Sequence, residues 1–330
     1  MNKIDFVITW VDGDDPAWQK ERAQYAVGKG MDASVCRYRD WNNLQYWFRG
    51  VEKFAPWVNR IYFVTWGHVP SWLNINHKKL QIVRHEEFLP QEYLPTFNIN
   101  AIELNLHRIQ GLSEQFVFFN DDMFIIRRMH PEDFFKNGLP RDCCIETAVA
   151  QDDFNNPFAH ILLNDAALVN MHFAKREMIR KNWKKWFHPI YGLNMLRNVL
   201  MLPYGKFSGF KYTHMPSPFL KKTYQRLWNE EQEILDSVCR NKFRTVFDLN
   251  QYVIKYWQYM EGMYVPQSLH IGRFYTIGKD DDMIQRTLRG QERKMICLND
   301  DMCVKDVEKT KWDIIEAFET VLPEKSSYER

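Results

Sequence analysis

The sequence predicts an α/β fold with a mostly parallel, doubly wound sheet and a large helical insertion in its second half. Short apolar runs rich in β-branched and aromatic residues alternate with amphipathic segments over about the first 130 residues, as in sheets of this kind. The runs are apolar at consecutive positions, which indicates strands buried on both faces. Helical patterns dominate the second half, where they either form an insertion between strands of one sheet or a second domain.

The elements of the first half follow from local patterns. Each strand is predicted by an apolar run that ends at acids or at a turn residue such as Gly67. Leu44, Trp47 and Phe54 recur at helical spacing, and Asp40 before them is a residue type that favours the N-cap. In chain order we expect strand 4–11, helix 16–25, helix 40–54, strand 60–66, strand 80–84, helix 98–109 and strand 115–120.

The second half contains helical patterns at 161–186, 221–238, 246–260 and 311–321, and short strand patterns at 273–278 and 294–298. Internal repeats and low-complexity linkers are absent from the sequence, so we expect a single domain spanning 1–330. Within it we expect an α/β part at 1–140, a helical part at 141–272, and returning strands with a C-terminal helix at 273–330.

Composition excludes several classes of protein. Hydrophobic residues make up 45% and charged residues 26% of the 330 residues, as in ordinary globular proteins. The formal net charge of +2 provides no general attraction for nucleic acid. The six cysteines contain no CxxC pattern, so we interpret them as reduced thiols of a cytoplasmic protein and not as zinc ligands or disulfides.

We also expect no membrane-spanning segment. The N-terminal apolar run is short and ends in acids, which indicates a first strand and not a signal peptide. The sequence has no uncharged apolar window approaching about 18 residues, so any membrane contact would be peripheral. The basic, aromatic segment from Lys175 to Phe187 is either such a contact or a solvated helix face.

Acidic or amide side chains follow several predicted strands. They are Asp12 after the first strand, Asn120, Asp121 and Asp122 after the fourth, and Asp300 after a late strand in the sequence ICLNDD. The carboxyl ends of parallel strands form the usual ligand-binding edge of such a sheet. Carboxylates there can hold Mg²⁺ or Mn²⁺, which neutralises a diphosphate. The alternative is that they only form turns or helix caps, which Asn and Asp favour.

Other candidates carry imidazole or guanidinium chemistry. His214, in YTHMPSPF, can serve as a general base or as a phosphate ligand. Arg39 and Arg244 each precede a predicted helix and can bind phosphate there. For all three the alternative is an ordinary loop or surface residue. Glu103 and His107 are four residues apart on one predicted helix, and we expect a polar stripe beside the site, not half of a metal site.

Taken in order, these motifs resemble the Stealth family. The first of its four conserved regions is similar to IDFVITWVDGDDP at 4–16, and the second, the most specific, to a long segment at 37–125 that contains FVFFNDDMF. The third is similar to THMPSPF and the Arg244 segment, and the fourth to ICLNDD and LPEKSSYE. Bacterial members of the family are capsular polysaccharide hexose-1-phosphate transferases, and an animal relative is the lysosomal-enzyme GlcNAc-1-phosphotransferase.

The resemblance implies a glycosyltransferase-A-like sheet, a nucleotide sugar bound by residues 1–140, and transfer of a sugar-1-phosphate from a UDP-sugar to a glycan hydroxyl with release of UMP. The expected catalytic residues are His214, Arg244, Asp122 and Asp12. The expected ligands of Mg²⁺ or Mn²⁺ are Asp121, Asp122 and Asp300. The expected donor contacts are Trp10, Asp12, Gly13, Arg39, Asn98 and Asn120. The acceptor would be an oligosaccharide or a lipid-linked glycan.

Two other functions remain open from the sequence. A conventional glycosyltransferase with a similar sheet would release UDP, because its acceptor attacks C1 of the sugar and not phosphorus. A non-catalytic glycan- or nucleotide-binding module is less favoured, because acids from three strand ends together with His214 exceed what binding needs. The Walker A, GxGxxG and GxSxG motifs are absent, which disfavours P-loop, Rossmann dinucleotide and α/β-hydrolase functions.

Overall fold

The structure is a computed structural model that describes residues 3–26, 39–151, 156–300 and 304–330. Its strands are β1 Ile4–Thr9, β2 Ile61–Thr65, β3 Leu80–Arg84, β4 Gln115–Phe119, β5 Met123–Ile125, β6 Phe135–Lys136, β7 Leu139–Asp142, β8 Ser217–Leu220, β9 Val265–Pro266, β10 Gly272–Thr276 and β11 Met295–Asn299. Its α-helices are α1 Pro16–Tyr25, α2 Leu44–Phe54, α3 Ile99–Leu104, α4 Pro131–Phe134, α5 Pro157–His172, α6 Lys175–Trp186, α7 Met195–Leu200, α8 Lys221–Glu230, α9 Gln232–Cys239, α10 Gln251–Met260, α11 Asp281–Gly290 and α12 Val307–Val321.

The main sheet has the strand order β3-β2-β1-β4-β8. β1 lies between β2 and β4 and runs parallel to both, β3 runs parallel to β2, and β8 runs antiparallel to β4. The predicted α/β class with a mostly parallel sheet is therefore confirmed. The sequence does not predict β8, because Pro218 within it is typical of a turn. An edge strand tolerates proline, since one side of its backbone needs no ladder partner.

Helices cover both faces of the main sheet, as a doubly wound fold requires. Along β1, Phe6 and Ile8 point into one hydrophobic cluster and Val7 into the other, because successive side chains of a strand point to opposite faces. The first cluster includes Trp47 of α2 and Phe318 of α12, and the second includes residues of α3, α8 and α10. All six residues of β1 are buried, which explains why this central strand is apolar at almost every position.

A second sheet, in the order β10-β11-β5, follows the main sheet. β5 begins just after β4 and pairs antiparallel with β11, while β10 runs parallel to β11. The chain therefore passes from one sheet to the other through residues 120–122. Between β7 and β10 the described residues form helices α5 to α10 with only the short strands β8 and β9 among them, which confirms the predicted helical insertion.

The start of α2 differs from its prediction. The helix begins at Leu44 with Asn43 at the N-cap position, so Asp40 does not cap it. The Asp40 carboxylate instead accepts a hydrogen bond from the backbone N–H of Asn42 at 2.7 Å. Short polar side chains bond to nearby backbone groups in several local arrangements, and a helical pattern does not show which of several Asn and Asp residues becomes the cap.

Segment 175–187, which the sequence offers as a peripheral membrane contact or a solvated helix face, is buried near both of its ends. Lys175 is only 2% exposed, and its ammonium group donates to the buried carboxylate of Glu146 at 2.7 Å. Trp186 at the other end of α6 is fully buried. Both ends of the segment are thus fixed in the protein interior, and the exposed basic residues lie between them. Among the described residues, no helix combines the length and the apolar character needed to cross a bilayer.

A buried arginine ties the C-terminal tail to α2. Arg49 donates to both carboxylate oxygens of Glu329 at 2.9 Å, and to the backbone oxygen of Leu322 at 2.8 Å. The side chains of Arg49 and Glu329 are 9% and 5% exposed. Because both charges are buried, each depends on the other for compensation. The motif LPEKSSYE, which ends at Glu329, therefore closes the fold.

Replacing Arg49 with Met is expected to lower the free energy of unfolding by about 3–5 kcal/mol, because Glu329 would stay buried without its partner. Urea denaturation followed by tryptophan fluorescence measures the change. Arg289→Met is the matched control, since the pair between Arg289 and Glu316 is exposed and such pairs contribute ~0–1 kcal/mol. A loss for Arg49→Met no larger than that of the control would contradict this role.

Candidate active site

Asn120, Asp121 and Asp122 form the turn that joins the two sheets. β4 before the turn is fully buried, and β5 after it pairs with β11. The N–H of Met123 donates to the Asn120 carbonyl oxygen at 3.2 Å, and the N–H of Leu298 donates to the Asp122 carbonyl oxygen at 2.8 Å. The turn, hereafter the acid turn, thus lies at the carboxyl end of β4 and is fixed by a strand from the end of the chain.

Asp122 lies at the centre of a group of three side chains. Its Oδ2 is 3.1 Å from His214 Nε2 and 3.2 Å from Cys297 Sγ. The ligand atoms of the three residues all lie within 4.8 Å of one another. Within the described part of the chain, Asp122 Oδ1 and Asn120 Oδ1 are buried oxygens without a hydrogen-bond partner. Buried polar atoms are nearly always satisfied, so these two oxygens are free to accept a ligand at the acid turn.

The imidazole of His214 is held from both sides. Its Nδ1 contacts the hydroxyl of Tyr212, and its Nε2 contacts Asp122. Burial raises the pKa of Tyr212 well above its ordinary value, so the phenol keeps its proton and can either donate to Nδ1 or accept a hydrogen from it. The backbone of His214 has φ of 41°, a left-handed conformation that non-glycine residues seldom adopt and that clusters at functional sites.

Asp121 is accessible to solvent, and yet the protein around it strongly changes the pKa of its carboxyl group. Desolvation and the neighbouring Asp122 raise the pKa of Asp121 to about 7, and Asp40 adds to the rise. His214 acts in the opposite direction. Asp121 thus presents an accessible carboxylate beside Asp122, where a charged ligand could bind.

The oxygens of the acid turn fit a hard divalent cation. Asn120 and Asp122 each present a buried oxygen without a partner, and Asp121 adds an accessible carboxylate. Oxygen donors of this kind are preferred by Mg²⁺ and Mn²⁺. Cys297 does not belong to this set, because burial raises the pKa of its thiol well above the ordinary value. It therefore donates to Asp122 as a neutral thiol and offers no thiolate.

Asp300 lies just beyond β11 and forms an ion pair with Arg39 at 3.2 Å. The side chains of Arg39 and Asp300 are 23% and 12% exposed. The structure thus brings together two residues that the sequence places in separate candidate roles, a donor contact and a metal ligand. Arg37 and Asp301, which adjoin them in the sequence motifs, lie outside the described residues.

The loop after β1 is fixed by His68. The N–H of Asp12 donates to His68 Nε2 at 2.8 Å, so Nδ1 carries the hydrogen and faces Asp15 Oδ2 at 3.4 Å. Asp15 also accepts two backbone N–H bonds from the first turn of α1, so it is a helix cap. Asp12 is half-buried and accepts from the N–H of Asp14 at 3.0 Å. Sequence reasoning missed His68, because a lone histidine after a strand gives no spacing signal.

Trp10 and Gly13 flank Asp12 in this loop. The ring of Trp10 meets His68 edge to face at 5.3 Å and remains partly exposed. Gly13 is buried, and its carbonyl oxygen accepts from Gln19 Nε2 at 2.8 Å. The loop is therefore ordered before any ligand binds, with one aromatic surface open at the ligand-binding edge of the sheet.

Asn98 supports the loop that carries Arg244. It is fully buried, its side chain caps α3, and its amide donates to Asp248 Oδ2 at 2.7 Å. Asp248, also fully buried, accepts from the hydroxyl of Thr245 at 2.8 Å. The Asn98 side chain is thus held inside the protein by this network, and its contact with a donor stays a prediction.

Arg244 lies in the region of Glu103 and Tyr212, without help from a helix N-terminus. Helix α10 begins only at Gln251, so the predicted phosphate clamp on that helix is not formed. Burial raises the pKa of both Glu103 and Tyr212, and the guanidinium of Arg244 limits the rise. Because Tyr212 contacts His214, these effects place Arg244 in the same region as the imidazole.

Glu103 is a buried acid beside this region. It is 4% exposed and accepts from the N–H of Gln251 at 3.2 Å. Desolvation raises its pKa to about 7, while Arg244 and His214 limit the rise. His107 points elsewhere, because α3 has already ended, and it lies against aromatic side chains of α8. The polar stripe expected from the two residues is therefore not formed.

Replacing Glu103 with Gln is expected to stabilise the protein at high pH. The folded-state pKa of about 7 lies above the ordinary 4.5, so the folded state binds the proton more tightly and loses stability as pH rises between these values. The variant lacks this loss. Its free energy of unfolding should therefore exceed that of the wild type by roughly 3 kcal/mol at pH 8 and should equal it near pH 4.5. Urea denaturation at both pH values tests this. A difference that does not change with pH would contradict it.

Two family models match the chain. Stealth protein CR1, conserved region 1, matches residues 2–28, and Stealth protein CR2, conserved region 2, matches residues 37–142. The capsular polysaccharide phosphotransferase WcwK of Streptococcus pneumoniae is 39% identical over 334 residues, which cover 100% of this chain and 99% of that protein. The chain belongs to the Stealth family.

Other relatives of this Stealth protein also match along their whole length. The receptor polysaccharide phosphotransferase WefC of Streptococcus oralis is 38% identical over 100% of both chains. The exopolysaccharide phosphotransferase cps2G of Lactiplantibacillus plantarum is 36% identical, covering 99% of this chain and 96% of that one. Among solved structures, the galactosyltransferase LgtC with donor and acceptor sugar analogs has a TM-score of 0.40 at 10% identity, covering 94% and 95% of the two chains. A TM-score this low carries no inference about function.

Proposed function

We propose that this Stealth protein is a phosphotransferase of capsular or cell-surface polysaccharide synthesis that moves hexose-1-phosphate or N-acetylhexosamine-1-phosphate from a UDP-sugar to a glycan hydroxyl. Full-length relatives named as capsular, receptor and exopolysaccharide phosphotransferases support the reaction class. The observation that carries the proposal is the contact of Asp122 with His214, 92 positions apart in the sequence. It sets a candidate base against a cation-binding turn at the ligand-binding edge of the sheet.

The reaction is a displacement at phosphorus. The acceptor hydroxyl attacks the phosphorus atom that bears the sugar, and its proton passes to His214. A new P–O bond forms while the P–O bond to the nucleoside monophosphate breaks, so that UMP leaves and a phosphodiester remains. The bond between C1 and oxygen stays intact, so the configuration at C1 is kept.

The contacts of His214 allow it to accept that proton. Tyr212 keeps its hydroxyl hydrogen, and a hydroxyl can both donate and accept. When the imidazole carries its hydrogen on Nδ1, the Tyr212 oxygen accepts it, and Nε2 is left basic. Nε2 faces the acid turn, as shown by its 3.1 Å contact with Asp122. An acceptor hydroxyl bound beside the turn would therefore meet the basic nitrogen.

The acid turn would hold the cofactor. Asn120, Asp121 and Asp122, together with Asp300, supply the oxygens for Mg²⁺ or Mn²⁺, which when bound neutralises charge on the donor diphosphate. Arg244 would add a positive charge on the side of His214, where the leaving phosphate gains charge. The other donor contacts predicted from the sequence are Trp10, Asp12, Gly13, Arg39 and Asn98.

We place the reaction in the cytoplasm, with an oligosaccharide or a lipid-linked glycan as acceptor. Of the described cysteines, Cys143, Cys144, Cys239 and Cys297 are free and buried, which agrees with a reducing compartment.

The test is the identity of the nucleotide released from a panel of UDP-sugars with Mg²⁺ or Mn²⁺ and candidate oligosaccharide acceptors. UMP together with a phosphodiester product is expected. Release of UDP would mean attack at C1 and an ordinary glycosyltransferase. Tight donor binding without turnover for any acceptor would favour a binding module. The His214→Gln variant serves as the background control for nucleotide released by slow hydrolysis.

A further inference from the structure

One stretch of the chain is strongly basic although the whole chain is nearly neutral. Residues 178–229 contain ten Lys or Arg and no Asp or Glu, whereas the formal net charge of the chain is +2. This stretch contains most of α6, all of α7, and His214. A basic block of this length indicates attraction for an anionic partner.

The middle of the stretch exposes large apolar side chains. Leu193 is 85% exposed and Leu200 is 72% exposed, and Leu196, Leu202 and Tyr204 are exposed as well. Leu196 and Leu200 lie one turn apart on α7, so they share a face of that helix. We call residues 193–204 the apolar surface. Contiguous exposed apolar area of this kind marks an interaction site more often than a chance feature.

The apolar surface is held outward by a buried anchor. Asn198, on the inner side of α7, is fully buried and accepts from the N–H of Glu146 at 2.6 Å. Its amide donates to the carbonyl oxygens of Cys144 at 3.0 Å and Trp186 at 2.7 Å. These bonds fix α7 on the domain and hold the end of α6 beside it. The leucines on the outer side therefore cannot turn inward without breaking a satisfied buried network.

Basic side chains lie before, within and just after the apolar surface along the chain. The exposed basic residues of α6, α7 and the segment that follows are Arg176, Arg180, Lys181, Lys184, Arg197 and Lys206. Trp183, which lies between Lys181 and Lys184 on α6, is 56% exposed. Tryptophan between basic residues, next to exposed leucines, is the composition of segments that lie in the headgroup region of a bilayer.

We propose that the apolar surface docks on a lipid bilayer rich in anionic headgroups, with the leucines entering the headgroup boundary and the basic side chains pairing with lipid phosphates. An anionic bilayer supplies both an apolar interior and negative charge, which this surface needs together. A second copy of the chain fits less well, because docking the same surface on itself would oppose two basic blocks.

The benefit of this docking for catalysis rests on the proposed function. His214 follows Tyr204 by ten positions in the chain, which can span at most about 36 Å, so a docked protein would hold His214 within that distance of the bilayer surface that carries a lipid-linked acceptor. The binding step itself needs neither donor nor acceptor, and it can be measured without the transfer reaction.

The experiment is vesicle flotation of the full chain without substrates. Vesicles of phosphatidylglycerol and phosphatidylcholine in equal parts should bind the protein at least tenfold more than vesicles of phosphatidylcholine alone, and added salt should weaken binding. The double variant Leu193→Ser/Leu200→Ser should lose binding by at least tenfold. The double variant Lys181→Glu/Lys184→Glu should bind anionic vesicles more weakly, by on the order of fivefold or more for each lysine replaced.

Trp312→Ser is the matched control, because Trp312 is 68% exposed on α12, outside the basic stretch, and its loss should leave flotation unchanged. The proposal would be overturned if the wild-type protein bound neither kind of vesicle, or if the leucine variant floated like the wild type. A dimer in solution that dissociates in the leucine variant would assign the surface to a second copy instead. The leucine variant should still transfer to a soluble acceptor at the wild-type rate, which separates failure of docking from failure of the proposed function.

Discussion

Asp122→Asn is expected to lower kcat/KM for sugar-phosphate transfer by about 10³-fold or more. The substitution preserves the shape of the side chain but removes the charge that His214 and Cys297 contact at 3.1 and 3.2 Å. It also neutralises the group that presents a buried, unpartnered Oδ1 to the proposed cation. The half-saturating concentration of Mg²⁺ should therefore rise together with the loss of rate. Initial rates of UMP release, measured over a range of Mg²⁺ concentrations, give both values.

The control for Asp122→Asn is Asp282→Asn, which removes an exposed acid in the first turn of α11 and should leave the rate unchanged. Folding of the Asp122 variant should be intact, because the bond that fixes the acid turn comes from the backbone oxygen of Asp122 to the N–H of Leu298. Circular dichroism and thermal denaturation check this. A variant that keeps more than roughly a tenth of wild-type activity would remove Asp122 from the centre of the site.

His214→Gln is expected to lower kcat by roughly 10²- to 10⁴-fold, with little change in affinity for the nucleotide sugar. The amide of Gln can still donate to Asp122, so the polar contact is kept, but an amide cannot take up the proton of the acceptor hydroxyl. Turnover is measured with saturating donor, and donor affinity by calorimetry without acceptor. The separation of the two quantities distinguishes a base from a phosphate ligand.

Two further variants complete the test of His214. His270→Gln changes an exposed histidine and should have no effect on either quantity. Tyr212→Phe removes the hydroxyl that contacts Nδ1 and should lower kcat by about tenfold, because the imidazole loses the group that fixes its orientation. If His214→Gln instead weakened donor binding and left kcat unchanged, the residue would be a phosphate ligand and the base would have to be sought elsewhere.

The parts of the fold that the sequence predicts correctly are those with a long local pattern. Strand 80–84 and helix 16–25 have the predicted bounds, since an apolar run and a proline at the start of a helix are local signals. Strand β8 and the start of α10 differ from prediction, because prolines, asparagines and aspartates allow several local structures. Tertiary pairing with β4 makes Ser217–Leu220 a strand.

The candidate site was predictable only in part, for a related reason. Acids that follow apolar strands stand out in the sequence, so Asp12 and Asp122 could be selected. Cys297 looks like any core residue of a strand, and its contact with Asp122 spans 175 positions. Asn98 has the residue type of a ligand contact, but its burial is decided by the loop packed over it. Contacts between distant segments depend on packing that no local pattern records.

The pairing of β5 with β11 has a consequence for how the protein is made. On the ribosome, the acid turn is synthesised early, but the N–H of Leu298 that fixes it and the thiol of Cys297 that contacts it belong to β11. A nascent chain that ends before residue 295 has the main sheet and the acids but not the strand that orients them. The acid turn can therefore reach its final arrangement only after β11 has been synthesised.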